Sequence, residues 1–349
     1  MLARLVFPIL VVNACARESL TFDFGWKHRT GLHTWAKPDD RPPANPDPGD
    51  KPAEAAIKYN DSSWIDVQLP HDGLIATAPS LIACPDGCSG KSYIPRHVLW
   101  YRKEFVLPSS WKGDAFWLDF EGSFRETTVW LNGVKVAYHD CGYTPFRVRL
   151  DNISSTVVGA KNVISVFVDP DNGDEGSSDH GSGWWYEGGG LYRHVNLVHA
   201  DKRHIEQDGL FAYSNITWKE GSAASAVVHG SATVANMGSA SATVCVSFSV
   251  SDAASGKRVV GPPAQIDVAA AATATATASI AITSPQLWSS SHPHLYIVRA
   301  EVREGRCASK GALIDTMEAE HGFRSLRYDA NEGFFLNGGR PPAPTQPSP

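Results

Sequence analysis

Methionine is scarce in this chain, with three in 349 residues, and no stretch keeps a helical spacing of apolar residues over a useful length. Long amphipathic helices are thereby excluded as the main building element. Basic blocks are absent too, and the formal net charge is −6 with a pI near 6.1. That argues against nucleic acid as a partner. The apolar run Leu5–Val12 is too short for a membrane span, which needs roughly 20 residues, and no other stretch could cross a membrane. Glycine (30), proline (23) and tryptophan (11) are plentiful instead. This is the composition of many turns and short strands.

Residues 1–16 read as a secretory signal peptide. Arg4 supplies the positive region, Leu5–Val12 the apolar core and Ala14-Cys15-Ala16 a small-x-small cleavage site, so a secreted protein cleaved after Ala16 is expected. Three sequons, at Asn60, Asn152 and Asn215, suit eukaryotic secretion. Five cysteines then remain, an odd number. Cys84 and Cys88 bracket Pro-Asp-Gly and suit a small loop-closing disulfide. Cys245 shares the parity of Thr243, Ser247 and Ser249, opposite Val244, Val246, Phe248 and Val250. That places it on the polar face and speaks against a Cys245–Cys307 bridge across a sandwich.

Strand patterns follow in quick succession from Val98 to Ala200, with Asn132-Gly133 as a two-residue hairpin turn. Pro38–Pro52 reads as a surface insertion. A second series runs from Asp201 to Gly322. Its Ala/Thr-rich stretch, Gln265–Ile282, keeps Ile266, Val268, Ile280 and Ile282 on one parity and Thr273, Thr275 and Thr277 on the other. It reads as one continuous strand, with a bulge if it bends. The expectation is all-β: a jelly-roll sandwich over 17–200, then an immunoglobulin-like sandwich over 201–322.

The chemistry concentrates in Gly183–Val195, where Trp184, Trp185 and Tyr186 stand beside Glu187, before Gly188–Gly190. Aromatic faces and a fixed carboxylate suit a sugar; the competing reading is a tight corner with aromatics packed under it. Just before it, Asp169, Asp171, Asp174, Glu175 and Asp179 crowd one loop. Calcium favours such clustered oxygens, although His180 falls where the closing glutamate of a regular twelve-residue loop would stand. No other cofactor is indicated. The pair His71-Asp72 reads as a turn with its own hydrogen bonds rather than a proton relay.

Several passages resemble the N-terminal part of glycoside hydrolase family 2, the β-galactosidase-like group. They are L-P-H-D (Leu69–Asp72), W-Y-R-K-E-F (Trp100–Phe105), F-E-G-S-F-R-E-T-T-V-W-L-N-G (Phe120–Gly133) and G-Y-T-P-F (Gly142–Phe146). W-Y-E-G-G-G-L-Y-R-H-V (Trp185–Val195), P-Q-L-W-S-S-S-H-P-H-L-Y (Pro285–Tyr296) and the run from Gly322 to Gly338 complete the set. The resemblance implies a sugar-binding jelly roll, a linking sandwich and a (β/α)8 barrel bearing two catalytic glutamates. About ten residues follow Gly338, in a Pro-rich run unlike a barrel strand. Residues 323–349 therefore read as barrel entry plus tail, and no position inherits either glutamate. By the same resemblance, Asp179, Trp184, Trp185 and Glu187 face a β-galactoside-like carbohydrate. Two other readings stay open: a stand-alone secreted carbohydrate-binding protein, and a structural or adhesion-like sandwich pair.

Overall fold

The computed structural model describes residues 17–33, 52–80, 94, 97–170, 186–219, 221–309 and 311–339. No α-helix occurs among them, only strands and short 3-10 turns. Among the described residues no helix is therefore long and apolar enough to cross a membrane. Two compact units are present, Glu18–His199 and a second built from Ala200 onward together with Arg17.

The first unit has two sheets. One carries β1 (Glu18–Thr21), β10 (Val195–Ala200), β5 (Ala115–Phe120) and β8 (Phe146–Arg149), in that order. The other orders β3 (Ile65–Val67), β2 (Trp26–His33), β4 (His97–Val106), β9 (Lys161–Val168), β6 (Thr127–Leu131) and β7 (Val134–His139). The chain passes back and forth between the two sheets, as in a jelly roll. Phe22, Trp26, Leu99, Tyr101, Phe120, Leu131, Ile164 and Val166 belong to one buried core. A satellite core of Trp64, Val98, Trp100, Trp130 and Phe167 forms with Ala55 from the segment preceding β3. The two cores explain why β4, β6 and β9 are buried along most of their length rather than at alternate positions: both of their faces are covered. Asn132 and Gly133 have φ of 51° and 82°, the pair of positive values that a type I′ hairpin needs.

The second unit sets β11 (Arg203–Lys219), β12 (Ser222–Asn236) and β16 (Ala272–Thr283) in one sheet. Its other sheet holds β13 (Ala242–Asp252), β14 (Arg258–Val260), β15 (Ala264–Val268), β17 (Tyr296–Glu304) and β18 (Leu313–His321). Val228, Val234, Val246, Phe248, Ile280 and Val298 fill the core. Beyond it, β19 (Leu326–Asp329) and β20 (Gly333–Leu336) form a hairpin.

Two expectations are corrected here. The Ala/Thr-rich stretch is two strands, not one: β15 pairs with β13 and β16 with β12, so the chain changes sheets between Val268 and Ala272. The parity reading survives, because Val268, Ile280 and Ile282 are buried while Thr273, Thr275 and Thr277 are exposed. Cys245 and Cys307 are joined in a disulfide, against expectation. Cys245 lies opposite the core face, as its parity requires. The bridge does not cross the sandwich. It ties β13 to the turn Cys307–Ser309 between β17 and β18, beside the same sheet. Cys84 and Cys88 lie outside the described residues.

Candidate functional site

Gly188, Gly189 and Gly190 form a buried turn just before β10. Gly188 and Gly190 have φ of 74° and 119°, which side chains resist. Space forbids a side chain as well. A Cβ on Gly190 would stand 2.2 Å from the Tyr101 hydroxyl, and one on Gly188 2.7 Å from Asp72 Oδ2. The glycines are required because two other segments press against this backbone.

One of them is Pro70-His71-Asp72-Gly73. The His71 N–H donates to Leu191 O and the Gly73 N–H to Gly189 O, both at 2.8 Å. Asp72 then locks the arrangement. Its Oδ2 accepts from the Tyr186 hydroxyl at 2.8 Å. Its Oδ1 accepts from the N–H groups of Leu74 (2.9 Å), Ile75 (3.3 Å) and Gly189 (3.3 Å). The carboxylate is consumed by donors, which makes it a positioning group rather than a proton relay. His71 Nδ1 lies 2.9 Å from the Tyr101 hydroxyl, and the His28 ring is 4.8 Å from the rings of both His71 and Tyr101. Burial lowers the His28 pKa to about 4, helped by the neighbouring His71, and Trp100 O opposes weakly. Burial lowers His71 as well, with Asp72 opposing, and raises the Tyr101 hydroxyl. The cluster is neutral at pH 7.

The third segment is the Phe120–Gly133 passage. Phe124 and Gly190 exchange both backbone hydrogen bonds at 2.9 Å. Beyond the turn, the Tyr192 hydroxyl donates to Gly142 O at 2.7 Å, and Arg193 pairs with Glu121 at 3.4 Å. Asp23 accepts from the Val195 N–H at 3.0 Å and meets His194 Nδ1 at 2.7 Å. Passages scattered over more than a hundred residues thus meet along Gly188–Val195, the glycine turn and the residues just after it.

Glu187 sits half-buried at the entry to that turn. Asp179, Trp184 and Trp185 lie outside the described residues, as do Asp171, Asp174, Glu175 and His180 of the carboxylate-rich loop. Asp169, the first of that set, is buried at the end of β9. Among the described residues no cluster of three metal-ligating side chains occurs. His71 and Asp72, read only as a turn from sequence, prove to hold the site's shape together with Tyr101, which the sequence singled out only within a motif. Their signal was present in L-P-H-D and W-Y-R, but the partners lie far apart along the chain.

Residues 89–201 match the sugar binding domain of glycosyl hydrolases family 2, and residues 213–324 match a further model of glycosyl hydrolases family 2. A β-galactosidase of Bacteroides ovatus, BoGH2A, is 29% identical over 292 residues, covering 83% of this chain and 32% of its own length. A β-glucuronidase of Formosa agariphila is 27% identical over 297 residues, covering 81% of this chain and 29% of its own. Among solved structures, a β-glycosidase from Bacteroides vulgatus matches with a TM-score of 0.71 at 27% identity, over 92% of this chain and 36% of that one. A family 2 β-glucuronidase matches in fold with a TM-score of 0.76 at 24% identity, over 95% of this chain and 33% of that one. The chain spans about a third of the length of the curated relatives it matches. With both matched segments together taking in more than half of its residues, in the same order as the motifs, the chain belongs to glycosyl hydrolase family 2, as its N-terminal part.

Proposed function

We propose that residues 17–200 form one wall of the sugar pocket of a secreted β-glycoside hydrolase, and that 201–322 link it to a catalytic barrel entered at 323–349. Residues 1–16 are the leader that directs secretion. The observation that carries this reading is the convergence on the Asp72-braced glycine turn, which holds Tyr186 and Gly189 in place on the first unit. Asp179, Trp184, Trp185 and Glu187 lie on the chain before that turn or at its junction with it, and are assigned to the sugar: the indoles to its C–H face, the carboxylates to its hydroxyls. The ligand is a β-galactoside-like sugar. A β-glucuronide is the second reading, favoured by the relatives named β-glucuronidase.

Glycoside hydrolysis needs two carboxyl groups about 5–5.5 Å apart in a retaining enzyme. The matched segments supply the wall and not that pair, so the 349-residue polypeptide by itself hydrolyses nothing. Purified chain is expected to show no turnover of a chromogenic β-galactoside or β-glucuronide. Turnover at an ordinary enzymatic rate would overturn the assignment. Titration with phenyl β-galactoside and phenyl β-glucuronide, read by tryptophan fluorescence, tests the wall itself. A saturable response lost in Trp185→Ala supports it. A response unaltered in both Trp184→Ala and Trp185→Ala counts against these residues.

A further inference from the structure

The outward face of the β11–β12–β16 sheet carries an aromatic pair that nothing in the described structure covers. Phe211 and Tyr213 are 60% and 51% exposed, with ring centroids 6.1 Å apart. Tyr213 stacks on His229 at 4.9 Å. The register sets Tyr213, His229 and Ser279 in one row across the sheet, and Phe211, Ser231 and Thr277 in the next. A groove of about 450 Å³ lies alongside, lined by Tyr213, His229, Ser231, Pro262, Thr277 and Ser279. Every one of these side chains is uncharged or an imidazole. Exposed rings flanked by hydroxyls suit the C–H face and hydroxyl edge of a neutral sugar.

Asn215 stands two residues beyond Tyr213 in the same strand, and Asn215-Ile216-Thr217 is a sequon. Residues two apart in a strand share one face, about 7 Å apart. Asn215, Thr217, Tyr213 and Phe211 therefore all point outward, and all four are exposed, while Ile216 packs against the core. We propose that Asn215 is N-glycosylated and that the first sugars of its glycan lie on Tyr213 and Phe211. The proposal rests on the reading of residues 1–16 as a secretory leader.

The chemistry balances without redox change. The Asn215 amide nitrogen bonds to C1 of the reducing-end sugar of a polyprenyl-diphosphate-linked oligosaccharide. The bond from C1 to the diphosphate oxygen breaks, the polyprenyl diphosphate leaves, and the amide gives up one of its two protons. The remaining N–H can keep its contact with His229 Nε2, now 3.3 Å from Asn215 Nδ2. That contact orients the sugar along the aromatic row. The other two sequons lack such a platform. Asn60 follows Lys58 by two residues, and its Oδ1 is engaged by the Ser62 N–H at 3.1 Å. Asn152 follows Leu150, which is fully buried.

The test expresses the full chain in eukaryotic secretory cells, in one arm with its own first 16 residues and in another with an unrelated secretory leader. Secreted protein is digested and its glycopeptides are read by mass spectrometry. Asn215 is expected to carry glycan in both arms, with higher occupancy than Asn60 or Asn152, and Thr217→Ala abolishes that glycopeptide alone. Enzymatic removal of the glycan should lower the melting temperature of the protein carrying Tyr213 and leave that of Tyr213→Ala unchanged. Secreted protein from the second arm with bare Asn215 overturns the modification. An equal loss of melting temperature with and without Tyr213 overturns the stacking. Absence of secreted protein from the first arm alone overturns the leader reading and leaves the site intact.

Discussion

Asp72 carries more of the site's geometry than any other single side chain. Its carboxylate takes three backbone N–H groups and one phenol, from two segments more than a hundred residues apart in sequence. Removing it leaves Gly189 N–H and the Tyr186 hydroxyl without that acceptor in a half-buried setting. Asp72→Ala is expected to cost about 2–3 kcal/mol, and Tyr186→Phe about 1–2 kcal/mol, by urea unfolding of the first unit. A neutral outcome for Asp72→Ala would show that the glycine turn holds without it. The histidines beside it set an acid limb. The unfolded chain protonates His28 near 6.5, while the folded chain holds it neutral down to about 4. Its stabilising contribution is complete above pH 6.5 and is lost as pH falls toward 4, up to about 3 kcal/mol from this one group. His71, lowered in the same direction, steepens the same limb. His28→Phe should flatten it between pH 6.5 and 4 in a melting-temperature profile. An acid limb of unchanged slope in that variant would assign the transition to other groups.

At the scale of elements, the change of sheets between β15 and β16 is the least economical part of the second unit. Ala271 there has φ of 51°, a region costly for any residue with a Cβ. Ala271→Gly is expected to stabilise by about 1 kcal/mol, seen as a higher melting temperature, because relief of the left-handed conformation outweighs the added freedom of the unfolded glycine. Loss of stability in that variant would mean that the turn is otherwise constrained. The same stretch marks how far sequence reasoning reached. Alternation placed Ile280 and Thr277 on their correct faces, since a period of two is a local property. It did not reveal that the run is split between two sheets, for Ala269-Ala270-Ala271 holds no glycine or proline to mark a turn. The Cys245–Cys307 bridge was missed for a related reason. Parity tells which face a side chain takes, but not that the turn after a neighbouring strand folds over that face. At the site, the motifs were legible one by one as strings. Their convergence on Gly188–Gly190 depends on contacts between distant segments and could be seen only once the chain was folded.

On the scale of the whole molecule, each of the two units has its own core, and one residue before β1 belongs to the second. Arg17 pairs with Asp315 at 3.0 Å and also donates to Ile205 O. Asp315 is fully buried and accepts the N–H groups of Ile205 at 2.6 Å and Thr316 at 2.8 Å. Burial raises its carboxyl pKa, while Arg17 and the two N–H donors oppose. Arg17→Ala strands the Asp315 charge and is expected to destabilise the second unit by about 3 kcal/mol at pH 7. The sign with pH follows from the raised carboxyl. As pH falls toward the unfolded carboxylate range near 4, Asp315 takes a proton, the stranded charge disappears, and the penalty shrinks. The measurement is urea unfolding of wild type and Arg17→Ala at pH 7 and pH 4.5. A penalty of equal size at both values would show that Arg17 acts through packing of its stem and its bond to Ile205 O, not through the charge of Asp315.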